Sequence, residues 1–350
     1  MSITNYKCIG CSAPISFNPK IGGFKCEYCG RTCTEDELQA FVEKTEEKWA
    51  EKHAHETHDD GTEVRQYNCP NCGAEVVCGD TTTASFCYYC HSPVIIESRL
   101  QGNFRPHKII PFKIDQKQAV QKFAEWTSDK KFLPKDFTVS NQQHNIIGVY
   151  LPYWDIDIDA DIDYHATAAT EHRRLRGDRE EITTERYRIE RGGTMHMPAI
   201  RFLSFNKINQ HLINAINPFN SADETAFNTG YLSGFQSERF TLPQETAERS
   251  ALQQATQHAL FQLRASANCD RILDEQDNSQ YRVADVAYTL LPVYILNYHY
   301  RGVDYQFAVN GQTGVAAGDL PTDTVKVGIF ATIIGLIVLI LALLGGFFLW

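Results

Sequence analysis

The sequence predicts an α+β protein: two N-terminal four-cysteine zinc ribbons, a mostly antiparallel α+β central domain, and one C-terminal transmembrane helix. Three observations predict it. Cys8, Cys11, Cys26 and Cys29 recur as Cys69, Cys72, Cys87 and Cys90, each set spaced C-x2-C-x14-C-x2-C and offset by 61 positions. Between them and the tail, strand-like alternation is interleaved with helix-like periodicity. From Val327 to Trp350 the chain runs 24 residues without a charge.

The cysteines carry the chemistry. A Cys-x-x-Cys turn aims two thiolates at one ion, and two such turns complete a tetrahedral shell. Zn²⁺ is the first expectation for a closed thiolate shell, with iron also permitted by the geometry. Two structural Zn²⁺ sites follow, one per set. Gly30 and Gly73 follow knuckles where a positive φ turns backbone amides toward sulfur. Disulfides or redox thiols are the competing reading, and a matched pair of four-ligand patterns argues against them.

Length and charge set the bounds. At 350 residues the chain can hold two or three domains. Eleven cysteines, eight in metal-type pairs, favour a reducing compartment. Cys33, Cys78 and Cys269 have no evident partner. The opening MSITNYKCIG holds no apolar run, so no secretory signal is expected. The net charge of −10 disfavours non-specific nucleic-acid binding. Residues 1–33 carry four Lys/Arg against one acid, whereas residues 34–64 carry three Lys against eleven acids.

In chain order, ribbon one is expected over 1–33 and an acidic helical spacer over 34–64. Thr34 and Glu37 form a capping box for a helix to about residue 56, whose thin apolar stripe docks lightly between the ribbons. His53, His55, His58, Asp59 and Asp60 at its end read as a wet helix terminus rather than a third metal site. Ribbon two spans 65–100, with Tyr67, Phe86, Tyr88, Tyr89 and Val94 to Ile96 as a small core that cannot fold without metal.

The α+β domain covers 101–320. HKIIPFKID reads as a strand, and Asp115 caps a helix to about Lys130. The run from Ile146 to Tyr164 is strand-like. Within it Asp155, Asp157, Asp159, Asp161 and Asp163 share one face, about 7 Å apart, too divergent to enclose an ion. A solvated face is expected, with Arg186 and Arg188 of RYRIER pairing across. Arg173, Arg174, Arg176 and Arg179 are other candidate partners, or contacts for anionic lipid or phosphate. A short helix near Ile208 to Ile216 and a long one from Pro243 to about Ala267 follow. Strands are expected near Val283 to Tyr288, Leu291 to Tyr300 and Tyr305 to Val309, with Asn310-Gly311 as a hairpin signal. LPYW at 151–154 echoes LPVY at 291–294. A linker over 321–326 leads to the anchor at 327–350, about 36 Å as a helix and long enough for a roughly 30 Å hydrocarbon core.

The motifs CPNCGAEV, IIPFKID, LPKDF, GVYLPYWDID, INPF, YLSGF, LLPVYIL and FAVNGQTGVAAGDLP together resemble bacterial membrane proteins with TFIIB-type zinc ribbons, loosely labelled primosomal-protein-like. The likeness runs over nearly the whole chain and departs at Ser12, where a glycine usually follows the knuckle. Some members are linked to phage-shock (PspA-like) and SPFH-type proteins in envelope-stress operons. The resemblance implies an adaptor that holds such cytosolic partners at the membrane.

No nucleophile-elbow, P-loop, zincin or kinase motif is present, and four-cysteine shells leave no open coordination position. The expectation is therefore no enzyme: no catalytic residue and no organic cofactor. The chain reads as a single-pass, C-terminally anchored cell-membrane adaptor with its bulk in the cytoplasm. The alternative is a zinc-ribbon nucleic-acid-binding protein of replication or transcription.

Overall fold

The computed structural model describes residues 3–4, 6–41, 64–69, 71–87, 90–128, 130–134, 146–176 and 179–348. The histidines of the spacer end, Tyr88, Tyr89 and most of LPKDF lie outside them.

The N-terminal part holds β1 (Ile3–Thr4), β2 (Ser16–Asn18), β3 (Gly23–Lys25) and β4 (Thr32–Cys33), of which β2, β3 and β4 make one small antiparallel sheet. Helix α1 begins at 35 and is described to 41. The expected capping box is formed: Thr34 N donates to Glu37 Oε2 and Glu37 N to Thr34 Oγ1. β5 (Val64–Asn68) and β6 (Glu75–Gly79) form a separate hairpin. β7 (Thr82–Phe86) and β8 (Pro93–Ile96) form the next one. β9 (Lys108–Ile109) precedes α2 (Gln116–Ser128), where Asp115 and Gln118 make a second reciprocal cap.

A long hairpin dominates the rest: β10 (Ile147–Arg176) and β11 (Arg179–Leu203). Then come α3 (Gln210–Ala215), β12 (Thr225–Ala226), β13 (Gln236–Glu238), α4 (Gln244–Ala265), β14 (Arg271–Asp277), β15 (Gln280–Tyr300), β16 (Val303–Asn310), β17 (Ala316–Gly318) and α5 (Thr324–Phe348). The main sheet has the order β1-β8-β7-β13-β10-β15-β16-β17, with β11 and β14 also on β10, β9 on β15 and β12 on β9. Among the described residues every strand pair is antiparallel except β10 with β13 and β15 with β9.

The two LP motifs meet across this sheet, Leu151 opposite Leu291. Each proline sits where its strand changes neighbour. Pro152 falls between the partners β13, at Val149 and Tyr150, and β11, which starts at Tyr153. Pro292 falls between β9, at Thr289 and Leu290, and β16, which starts at Val293. A residue without an N–H is tolerated where the ladder is interrupted.

Strand lengths differ from the sequence expectation. β10 runs past Tyr164 because Ala166, Ala168 and Ile189 bury against Leu263 and Ala267 at the end of α4, so the arginine-rich stretch continues the ladder. The two strands expected on either side of Leu290 are one strand, β15, and β14, whose residues are mostly exposed, gave no alternation to read.

The core centres on Phe112 of IIPFKID. Its ring stacks on Phe235 at 4.1 Å and meets Tyr150 and Tyr294 edge-on. The INPF loop is tied to the NGQTG turn: Asn310, fully buried, donates to Ile216 O and Pro218 O, and its Oδ1 accepts from Gln312 N and Thr313 N. α5 begins on an Asp323 cap and carries no charge after Lys326. Its side chains are described from Thr324 to Ile340, and within the described residues no helix is long and apolar enough to cross a membrane.

Candidate metal centres

The two cysteine sets form two clusters, in each of which the four Sγ atoms lie within 4.8 Å of one another. Cys8 to Cys29 and Cys11 to Cys26 are 3.6 Å apart; Cys69 to Cys90 and Cys72 to Cys87 are 3.7 Å apart. A tetrahedral shell with metal–sulfur bonds of about 2.3 Å sets sulfurs about 3.8 Å apart. The residues therefore fit a metal ion in each cluster, and all eight predicted ligands are brought together as expected.

The backbone explains why. In every knuckle the first cysteine closes a tight loop: Cys8 N donates to Ala13 O, Cys26 N to Arg31 O, Cys69 N to Ala74 O and Cys87 N to Ser92 O. The residue four places after that cysteine takes a left-handed conformation: Ser12 at φ 57°, Gly30 at 73°, Gly73 at 75° and His91 at 54°. Two of these are glycine, as read from the sequence; Ser12 and His91 accept the same geometry without it. Gly10 N donates to Cys8 Sγ at 3.4 Å.

Within each set the thiols split instead of ionising together: against burial, hydrogen bonds from Gly10 N and the neighbouring thiols hold Cys8 down to about 6, and bonds from Ser92 and Asn71 hold Cys90 down to about 5. The Ala13 N–H favours the Cys11 thiolate, yet Cys29 and burial push Cys11 up to about 12. Cys72 is pushed up to about 12 in the same way, against the Ala74 N–H. A bound cation offsets that push, so metal loading and proton release are coupled.

The clusters differ in surroundings. Cys8 and Cys26 lie in the main core beside Tyr6, Ile15, Phe17 and Phe24. That core is shared with the middle region: Phe17 packs edge-on to Tyr231, Phe17 N donates to Ser233 O, and Ser233 Oγ donates to Ile15 O. YLSGF is thus the seat of ribbon one. α1 docks there too, with Tyr231 Oη donating to Glu35 and Asn228 Nδ2 to Gln39 Oε1. The expected light docking between the ribbons is replaced, over residues 35–41, by contact with the middle region, because Leu38 is buried in the shared core.

The second cluster has a core of its own: Tyr67, Val76, Cys78, Val94 and Ile96 around Cys69 and Cys87. Its second knuckle turns between β7 and β8; β7 joins the main sheet through β13, and β1 adds an edge strand to β8. Its first knuckle is the turn of the β5–β6 hairpin, which has no other sheet partner among the described residues.

The aspartate row proves to be an ion-pairing ladder with different partners from those expected. Asp155 is buried and pairs with Arg201, which also pairs with Glu224. Burial pushes the Asp155 carboxyl up, against the pull of Arg201. Asp159 meets His196 and Arg282, and Asp161 meets Arg282. Arg186 and Arg188 instead stand opposite Ala169 and Thr167 in the register of β10 and β11. Arg173 pairs with Glu171 and Glu180 near the tip of the arm. A groove of about 480 Å³ is lined by Ile147, Val149, Leu151, Phe205 and Ile295 with Glu238 and Lys207.

No family model matches the chain, and no solved structure matches it. The chain is similar to the uncharacterized protein YdjG of Bacillus subtilis (strain 168): the two are 27% identical over 332 residues, which take in 93% of this chain and 92% of that protein.

Proposed function

We propose that this protein is a membrane-anchored adaptor whose two four-cysteine centres hold structural Zn²⁺ and whose body recruits cytosolic proteins to the membrane. The observation that carries this reading is α5. It is a 25-residue helix, and eleven of its apolar side chains between Val325 and Ile340 are about 40 to 70% exposed. The sequence beyond them stays uncharged to Trp350. Water does not favour such a surface on a helix of this length, whereas a bilayer does. The centres support a structural role, since each supplies all four donors from the chain. The resemblance read from the motifs adds PspA-like or SPFH-type proteins as the expected partners, in envelope stress.

One observation favours a second reading. Tyr28, between Cys26 and Cys29, is 89% exposed at a knuckle tip, and Lys25 and Arg31 flank it in sequence. An exposed aromatic beside cations suits base stacking. The acidic segment 34–64 and the net charge of −10 count against it.

The test is affinity capture of the full chain from native membranes, with and without α5. A chain ended after Pro321 should leave the membrane fraction and carry its protein partners with it into the soluble fraction, while zinc stays near two ions per chain. Membrane retention of the shortened chain would remove the anchor reading. Salt-sensitive nucleic acid recovered in place of protein partners would favour the second reading.

A further inference from the structure

We infer that the turn after α2, residues 130–133, is a second membrane contact: an aromatic and basic finger that enters the bilayer interface beside α5. This rests on the reading of α5 as the anchor. The contact is built from both sides. Asp323 N, at the cap of α5, donates to Phe132 O at 2.7 Å, and Lys326 Nζ donates to Leu133 O. The Phe132 ring then meets the ring of Phe330 edge-on, with centroids 5.4 Å apart.

That ring pair fixes depth. Lys326 is the last charge before the apolar run, and Phe330 lies four residues on, about 6 Å further along the helix axis. Phe330 is 48% exposed. If Phe330 faces acyl chains, a ring in contact with it cannot remain in bulk water. Phe132 therefore sits at the boundary between headgroups and hydrocarbon.

The residues before it have the chemistry of that boundary. Lys130 and Lys131 are exposed. The Lys130 ammonium lies 4.9 Å over the ring of the half-buried Trp126. Lysines beside aromatic rings are the residues that settle at headgroup level, where anionic lipid attracts them. The finger is also stiffly mounted, since Phe123 and Trp126 of α2 pack on Phe307 of β16. Two contacts, α5 and the finger, would hold the sheet at a set angle to the membrane. The arginines of the arm do not compete for this role. Arg173 stands 26 residues along β10 from Ile147, roughly 85 Å at the strand rise. The anchor root is at the Ile147 end, where Phe307 pairs with Leu296.

The experiment places a photo-crosslinking residue, p-benzoylphenylalanine, in the full chain at one of three positions: Phe132, Leu336 on α5, or Leu175, which is 85% exposed on the arm. The protein is reconstituted in vesicles of phosphatidylcholine and phosphatidylglycerol and illuminated, and lipid adducts are counted. Adducts at 132 and 336 and none at 175 are expected. Replacing Lys130 or Lys131 with Glu should lower the yield at 132 by up to about fivefold per lysine in anionic vesicles, with the yield at 336 unchanged. Adducts at 336 without any at 132 would overturn the finger and leave the anchor standing. No adduct at either position would remove the anchor and the finger together. A yield at 132 indifferent to both lysine reversals would overturn the headgroup contact.

Discussion

Two ribbons with the same ligand spacing are built into this molecule in different ways. Ribbon one is part of the main core: Cys8, Cys26, Phe17 and Phe24 pack with Leu232 and Phe235 of the middle region. Ribbon two straddles a seam. Its β7–β8 half belongs to the main sheet, and its β5–β6 half is held by the second centre and a small cluster around Tyr67 and Val76. Identical local chemistry therefore feeds different cooperative units. The first centre should then be coupled to global stability, whereas loss of the second should chiefly free the β5–β6 hairpin.

The largest effect should come from breaking each centre at an equivalent ligand. Cys11 and Cys72 occupy the same knuckle position and are both exposed, so a serine there leaves no buried polar mismatch. A structural zinc site carries on the order of 10 kcal/mol of folding energy, comparable with the whole stability of a domain. Cys11→Ser should lower the global thermal midpoint sharply, as measured by calorimetry. Cys72→Ser should release Val64–Gly79 to rapid hydrogen exchange and leave the main transition near its original temperature. Equal shifts in the two variants would break the comparison.

The ligand sets and caps were legible because they are local. Cysteine spacing, Thr34 with Glu37, and Asp115 as a helix cap each act over short stretches, and the structure realises all of them, adding Gln118 as the reciprocal partner of Asp115. What was not legible is set at long range. Nothing near Arg201 marks it as the partner of Asp155, 46 residues away; that pairing depends on the register of two long strands, including a shift between Ile156 and Ile158. Nor does YLSGF announce that it seats a ribbon more than 200 residues earlier, through Ser233 and Ile15. The LP motifs stood out as an echo, but their role at changes of strand partner needed the sheet order.

A smaller effect would sharpen the coupling from the opposite side. Gly230 lies in the middle region, and a Cβ there would come within 2.8 Å of Cζ of Phe24 in ribbon one. Overpacking of this kind costs about 1–3 kcal/mol. Gly230→Ala should therefore lower the global midpoint and weaken metal retention by the first centre in a chelator titration. The second centre should lose its metal at the original rate. If both centres loosen together, the ribbons are coupled to each other and not only to the sheet.

The smallest effects come from the knuckles, and each ribbon carries its own control. Ribbon one has Ser12 and Gly30 in the left-handed region; ribbon two has Gly73 and His91. No atom lies within 4 Å of a Cβ built on Gly30 or Gly73, so an alanine there meets no clash. Its cost is the backbone conformation alone, about 1 kcal/mol. The reverse changes, Ser12→Gly and His91→Gly, relieve that strain but give the unfolded chain more freedom, so a gain of no more than about 0.5 kcal/mol remains. The signs should match between ribbons and the readouts should not. Gly30→Ala should lower the calorimetric midpoint by a few degrees at most. Gly73→Ala should leave the midpoint in place and speed amide exchange in β5 and β6. Because the two substitutions are locally equivalent, any difference in how they register reports the coupling of each ribbon to the body, free of ligand loss or steric conflict.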